Sequence, residues 1–364
     1  MSQLFDPIEF ARGPAMPNRF MLAPLTNCQS HPDGTLSDEE HRWLTMRAEG
    51  GYGAVMTAAA HVQSIGQGFP GQLGVFADSH IENLSRLAAD IKSHGSVALV
   101  QLHHAGNRSP EDLIGTTPVS ASDDPETGAR GLSTPEVEQL IDDFVAAAVR
   151  AQSAGFDGVE LHGAHGYILC QFLSSELNQR DDRFGGDLAG RSQIFFDILD
   201  GVREATNPDF IVGVRLSPER FGMKLAEIRE LSQQLIDTGQ IDFLDLSLWD
   251  CFKEPVEEEW QGRSLCEVAT ELDHRTDPSG RHIPVGVAGK IHDPADAERV
   301  LELGADFAIL GRVAILHHDY PTRLATDSQF LPVRPPVTAA YLEAEGLSPA
   351  FVEYMGRWKG FVAD

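Results

Sequence analysis

Cysteine is scarce in this chain. The four present, Cys28, Cys170, Cys251 and Cys266, form no Cys-x-x-Cys pair, which excludes a disulfide frame, a zinc ribbon or an iron–sulfur cluster held by clustered thiolates. That usage suits a reducing, cytoplasmic compartment. Positive charge is also scarce: 28 basic residues face 55 acidic ones, a net charge of −27. Such a surface repels nucleic acid and anionic membranes, so the expected partners are small molecules. No stretch reaches the roughly 18 uninterrupted apolar residues of a membrane span. The opening "MSQLFDPIEF" is acidic and lacks the apolar centre of a signal peptide. No G-x-G-x-x-G follows an early apolar run, which weakens an open dinucleotide-binding sheet. Nothing in the composition decides between a monomer and a homo-oligomer.

What the chain does have is alternation. Eight short runs rich in Val, Ile, Leu, Phe and Ala recur: "RFMLAPL", "AVMTAAA", "VALVQL", "FDGVELH", "FIVGVRL", "DFLDLSL", "IPVGVAG" and "DFAILG". Segments of helical periodicity separate them, with clear punctuation. Ser37 stands as N-cap before "DEEHRWLTMRAE" and Gly50 as its stop. Ser133 and Glu136 form a capping box. Repeated strand–helix units imply a parallel sheet, and eight of them close a barrel. The fold class expected is therefore α/β, a (β/α)8 TIM barrel read as one domain. Its core spans about 18–321, a long polar loop (105–132) follows strand three, and a helical tail covers 322–364.

In such barrels the working groups come from the C-terminal strand ends. The fourth strand ends "VELHGAHGY", which sets His162, His165 and Tyr167 on a glycine-rich loop. Two imidazole N–H groups can hold an oxygen on which negative charge develops, and a phenol can supply a proton. A metal site would want a carboxylate near strand one, which offers only Thr26. Gln101 and Arg215 are polar groups on otherwise apolar strands. An amide suits the edge of a heterocycle, and a guanidinium suits a ring that becomes anionic on reduction. Strands seven and eight end Gly289-Lys290 and Gly311-Arg312. A glycine then a base at equivalent points reads as a phosphate cradle, against the plainer reading of two tight turns.

These stretches together resemble the Old Yellow Enzyme family of FMN-dependent ene-reductases. The similarity runs from about 18 to about 321 through "NRFMLAPLT", "RAEGGYGAVMTAAA", "VQLHHAGNR", "VELHGAHGYILCQFLSSELNQRDDRFGG", "VGVRLSP" and "LGADFAILGR", in order. The resemblance implies a cofactor, FMN, with NAD(P)H as reductant and an enone-type compound as substrate. It implies that Pro24, Leu25, Thr26 and Ala59 line the flavin, and that Gln101 meets its pyrimidine edge. Arg215 would face N1 and C2=O, and Gly289, Lys290, Gly311 and Arg312 would hold the phosphate. His162 and His165 would grip the substrate carbonyl, with Tyr167 as proton donor. Cys28 falls where some members place a substrate-side tyrosine. The iron–sulfur cysteines of larger dienoyl-CoA reductase relatives are absent. The competing readings are a flavin dehydrogenase acting on amines or unsaturated acyl thioesters, a non-redox barrel enzyme for phosphate ligands, and a non-catalytic flavin-binding module. Lys92, Lys224, Lys253, Lys290 and Lys359 all lie off the strands, which disfavours a Schiff-base aldolase.

Overall fold

The computed structural model describes residues 3–327 and 329–363. Among them, eight parallel strands close into a barrel: β1 (Phe20–Leu22), β2 (Ala54–His61), β3 (Val97–His103), β4 (Gly158–Gly163), β5 (Ile211–Leu216), β6 (Phe243–Ser247), β7 (Val285–Ala288) and β8 (Phe307–Leu310). Each strand pairs with its neighbour in sequence. The ring shuts where Phe20 and Leu22 meet Ala308 and Leu310. This is the TIM barrel that the alternation implies.

The helices start and stop for local reasons. The Ser37 side chain accepts from the Glu40 amide and opens Asp38–Glu49. The Glu136 carboxylate accepts both the amide and the hydroxyl of Ser133 ahead of Thr134–Ser153. Gly50 ends its helix, but not through a left-handed turn. Its φ is −74°, and a Cβ there would stand 1.8 Å from the carbonyl oxygen of His318. Close approach of another backbone is what requires glycine.

The barrel interior is layered. At the N-terminal end Phe243, Phe307, Ile211, Met21 and Leu99 pack with Ile8, Phe10 and Met16 from an N-terminal plug. Gly213 and Gly286 leave room for this floor. A Cβ on either would fall 2.0 Å from the Phe243 ring or 2.2 Å from the Phe307 ring. The same end is finished by three aspartates that begin strands. Asp157, Asp242 and Asp306 accept the amides of Ala98, Val212 and Val285. Each also pairs with bases: Lys92, then Arg12 and Arg203, then Arg275. Several of the scarce cations are thus spent on stability at the face away from the strand ends.

Two segments outside the repeat reach the open end. The polar stretch after β3 is partly ordered into a short helix, Glu111–Ile114, and a two-stranded sheet joining Val119–Ser120 to Arg130–Gly131. The tail is helical, as its composition implies, with Ala339–Ala344 and Pro349–Gly356. Buried Phe351 packs edge-on against Trp43 at 5.4 Å. That contact carries Tyr354, Met355 and Trp358 over the barrel mouth. Among the described residues no helix is long and apolar enough to cross a membrane. No group of three metal-binding side chains converges among them either.

Candidate active site

A cleft with about 780 Å³ of space free of protein opens at the C-terminal strand ends. Its walls combine what the sequence singles out. Pro24, Leu25 and Thr26 come from the chain leaving β1, Ala59 from β2 and Gln101 from β3. His162, His165 and Tyr167 come from the β4 end and Arg312 from the β8 end. Arg215 lies deeper, 4% exposed, on the same face of β5 as the cleft.

The loop 163–167 is aimed by its backbone. His165 has φ +62° and Gly166 +75°, and a non-glycine in the left-handed region marks a position held by its surroundings. The holding contacts are visible. The Ser217 hydroxyl accepts the His165 amide at 3.1 Å. Arg108, from the segment after β3, donates to the His165 carbonyl at 2.7 Å and lies 4.7 Å over the Tyr167 ring. Fully buried Gln171 donates to the Gly166 carbonyl and to Asn107 Oδ1. It clamps the loop to the polar segment.

The rings gather tightly. His162 is 5.0 Å from His165 and 5.2 Å from Tyr167, centroid to centroid. His103, the β3 end, stands edge-on to Tyr167 at 4.4 Å. Burial, with the neighbouring imidazoles and Arg215 adding to it, holds His162 well below the ordinary histidine range. Burial and then Arg215 push His165 down to about 3. Both are neutral, so each has one N–H to give. The Ala164 amide donates to His162 Nδ1 at 3.3 Å, which leaves the proton on Nε2. His165 Nε2 meets Ser247 Oγ at 2.7 Å, and Arg215 Nη2 donates to the same oxygen at 3.4 Å. The Ser247 hydroxyl can accept from arginine and give its own proton to the imidazole, and in that arrangement the His165 proton sits on Nδ1. Neither His162 Nε2 nor His165 Nδ1 has a hydrogen-bond partner among the described residues.

Beneath the rings lies a polar layer. Gln101 Nε2 donates to Glu160 Oε1 at 2.7 Å, and the Arg215 guanidinium stands 2.9 Å from Asp245 Oδ2. Glu160 and Asp245 are both fully buried. Sequence reading passed over them because they sit inside strands read as apolar. Ser217, Ser247, Gln171 and Arg108 were also missed. Only the unusual polarity of "VELH" and "LDLS" carried any signal.

Some expected residues stand apart from the cleft wall. Lys290 is exposed and paired with Asp250 at 2.7 Å. Gly289 has φ +156° and lies against the backbone of 249–250. Cys28 has φ +57°, and its backbone packs on Gly71. Burial raises its thiol to about 11, so it is a poor nucleophile. Tyr354, Met355 and Trp358 from the tail do line the cleft, although the tail gave no motif.

Comparison with known proteins follows this geometry. Residues 3–329 match the model of the NADH:flavin oxidoreductase / NADH oxidase family. The chain is 35% identical over 332 residues to the probable NADH-dependent flavin oxidoreductase YqiG of Bacillus subtilis, covering 88% of this chain and 87% of that one. It is 33% identical over 340 residues to the NADH:fumarate oxidoreductase of Klebsiella pneumoniae, of which it spans 36%. In fold it resembles the old yellow enzyme homologue of Zymomonas mobilis, with a TM-score of 0.78 at 24% identity, covering 97% of this chain and 99% of that one.

The residues present fit a flavin mononucleotide. Gln101 spends one amide N–H on Glu160 and keeps a donor and an acceptor for a heterocycle edge. Arg312 forms no ion pair among the described residues and lines the cleft. A Cβ on Gly311 would meet nothing closer than 3.6 Å, the Leu25 side chain, so its backbone lies open to a ligand. Cleft, donors and family match agree, and the chain belongs to the NADH:flavin oxidoreductase / NADH oxidase family, the Old Yellow Enzymes, with FMN as cofactor and a nicotinamide dinucleotide as reductant.

Proposed function

We propose that this protein is an ene-reductase, which uses NAD(P)H to reduce the activated C=C bond of α,β-unsaturated carbonyl compounds. The observation that carries the reading is the pair of unpartnered imidazole nitrogens, His162 Nε2 and His165 Nδ1, on one wall of the cleft beside Tyr167. Bound FMN supplies hydride transfer, from the nicotinamide to the β-carbon of the alkene. As that hydride arrives, negative charge builds on the substrate carbonyl oxygen. Two neutral N–H donors on one wall of the cleft would stabilise it. Burial keeps them uncharged, and the hydrogen bond to the other ring nitrogen sets the tautomer of each. Tyr167 O–H is the proton source for the α-carbon. Arg108, lying over that ring, fixes its plane.

The remaining roles follow chemically. Pro24, Leu25, Thr26 and Ala59 form the apolar and hydroxyl wall against the ring, and Gln101 meets its pyrimidine edge. Arg215 offers positive charge to the end of the ring that becomes anionic. Arg312 and the open backbone at Gly311 serve the phosphate, with Gly289 and Lys290 on the adjoining loop. Cys28 lies near the substrate side. The chain, residues 1–364, acts as one domain in this reading.

Stopped-flow measurement of the two half-reactions tests it. The double change His162→Ala, His165→Ala should weaken binding of phenol-type ligands and slow oxidation of the reduced enzyme by an enone. Tyr167→Phe should leave phenol binding and reduction by NAD(P)H intact, and should slow the alkene step by about 10²-fold. An unchanged rate for Tyr167→Phe would assign the proton to another group. Normal phenol binding by the double variant would make the histidines structural.

A further inference from the structure

The layer under the cleft holds two carboxylates and one cation. Glu160 from β4 and Asp245 from β6 are both fully buried, and Arg215 from β5 lies between their strands. Gln101 from β3 adds a neutral amide. Below them the barrel is apolar, and above them stand the neutral rings of His162 and His165. No other charged side chain from β3, β4, β5 or β6 faces the pair.

Two buried carboxylates beside a single guanidinium would leave a net negative charge without water. A desolvated site resolves this by keeping a proton. The contacts show which oxygen holds it. Asp245 faces Arg215 directly, so it is the carboxylate. Glu160 Oε1 accepts from the Gln101 amide, while its Oε2 and both Asp245 oxygens are buried with no hydrogen-bond donor among the described residues, so Glu160, the carboxyl away from Arg215, is the acid. The electrostatics agree in direction. Burial first, then the Asp245 charge, raises Glu160 well above its ordinary range. Burial raises Asp245 as well, against the pull of Arg215 and of the hydrogen bond from Glu160. With one proton the cluster of Glu160, Asp245 and Arg215 is neutral.

We propose that Glu160 and Asp245 form a proton-sharing pair under the cofactor cleft, and that this pair binds a second proton when the ring held above it gains negative charge. The pair is a positioning and charge-compensating device, since neither residue lines the cleft. The balance is simple. The electron pair enters the ring as hydride from the nicotinamide, and the proton comes from water. One O–H bond forms on a carboxylate, and no carbon bond of the protein changes. The consequence is that Arg215, released from Asp245, offers its full charge only in the reduced state. The inference rests on the placement of Gln101 and Arg215 at the pyrimidine end of the ring.

Proton counting on the FMN-loaded enzyme tests this without any alkene. The holoenzyme is reduced anaerobically at an electrode, which delivers electrons without protons, in weak buffer with a pH indicator, from about pH 5.5 to about pH 9. Reduction that leaves one negative charge on the ring takes about one proton per two electrons, and the pair should raise this toward about two inside a window of pH. The double change Glu160→Gln, Asp245→Asn should return the count to about one at every pH. Glu160→Gln or Asp245→Asn alone should shift the window, because one carboxylate remains beside Arg215. If the double variant fails to fold, the parent and the single variants still decide. A parent count near one throughout overturns the proposal, as does a window that neither single change moves. Arg215→Met separates the two readings. If it leaves the flavin potential unchanged, the placement at the ring is wrong. If it lowers the potential while the proton count never exceeds one, only the shared proton is wrong.

Discussion

A single serine shows how the site is tuned one residue at a time. Ser247 ends β6 and stands between Arg215 and His165. Its hydroxyl accepts from Arg215 and has one proton to give to His165 Nε2, an arrangement that sets the His165 proton on Nδ1. No motif marks it, and its role depends on strand register rather than on sequence neighbours. Arg215 pairs with Asp245 across β5 and β6, which places Ser247 two residues further toward the cleft. Ser247→Ala should free His165 to take either tautomer while leaving the fold intact. A neutral hydrogen bond contributes about 1 kcal/mol, so phenol-type ligands should bind about fivefold more weakly. FMN affinity should not change. Absorbance titration of the loaded enzyme reads both, and equal phenol affinity in parent and variant would remove Ser247 from the site.

At the scale of elements, the barrel was legible because its signals are local. Apolar runs of strand length, capped helices and repeated spacing all lie within about twenty residues of one another. The strand ends carrying His162, His165, Tyr167, Gln101 and Arg312 could be named for the same reason. What could not be read depends on long-range packing. "RFMLAPL" contributes only Phe20–Leu22 to the ladder, because the chain turns away at Ala23 to bring Pro24 to Thr26 into the cleft wall. The polar stretch after β3 lacks a strong period, yet it supplies Arg108. The tail shows no motif, yet it roofs the cleft, because its anchor is the contact of Phe351 with Trp43, about three hundred residues away in sequence. Phe351→Ala removes a buried aromatic, a change that costs about 3–5 kcal/mol when borne by a whole domain. Here the tail should detach locally instead. The expected result is a small change in melting temperature, a raised KM for the alkene and faster proteolysis after residue 336. A large fall in melting temperature with unchanged KM would mean that the tail braces the barrel and does not shape the cleft.

For the whole molecule, the buried histidines set the response to acid. Burial lowers His61 to about 4, His104 to about 3 and His165 to about 3. His103 and His162 lie well below the ordinary range for the same reason. An unfolded histidine takes its proton near pH 6.5, so below that pH the unfolded chain binds protons that the folded chain refuses. The histidine contribution is whole above about pH 6.5 and is lost as pH falls toward the folded values, by at most about 1.4 kcal/mol per pH unit for each residue. Glu40, Glu160 and Asp245 work in the opposite sense. Burial raises all three, so they favour the folded state at low pH and lose that effect as pH rises through their folded values. The histidines, with His317 lowered to about 4 among them, outweigh the three acids between about pH 6.5 and pH 5. Below about pH 4.5 the unfolded carboxylates also protonate, so the acids stop compensating. Melting temperature at saturating FMN should therefore fall gently from pH 7 to 5 and steeply below that. High salt is needed in the measurement, because it screens the surface repulsion of a chain carrying −27 charges. Glu40→Gln tests the compensation directly. Glu40 accepts from Asn27 and Ser30, and its replacement removes one opposing group. The variant's melting temperature should fall more steeply than the parent's as pH drops toward the ordinary carboxylate range, and parallel curves would show that the folded protein takes up no proton at Glu40 there.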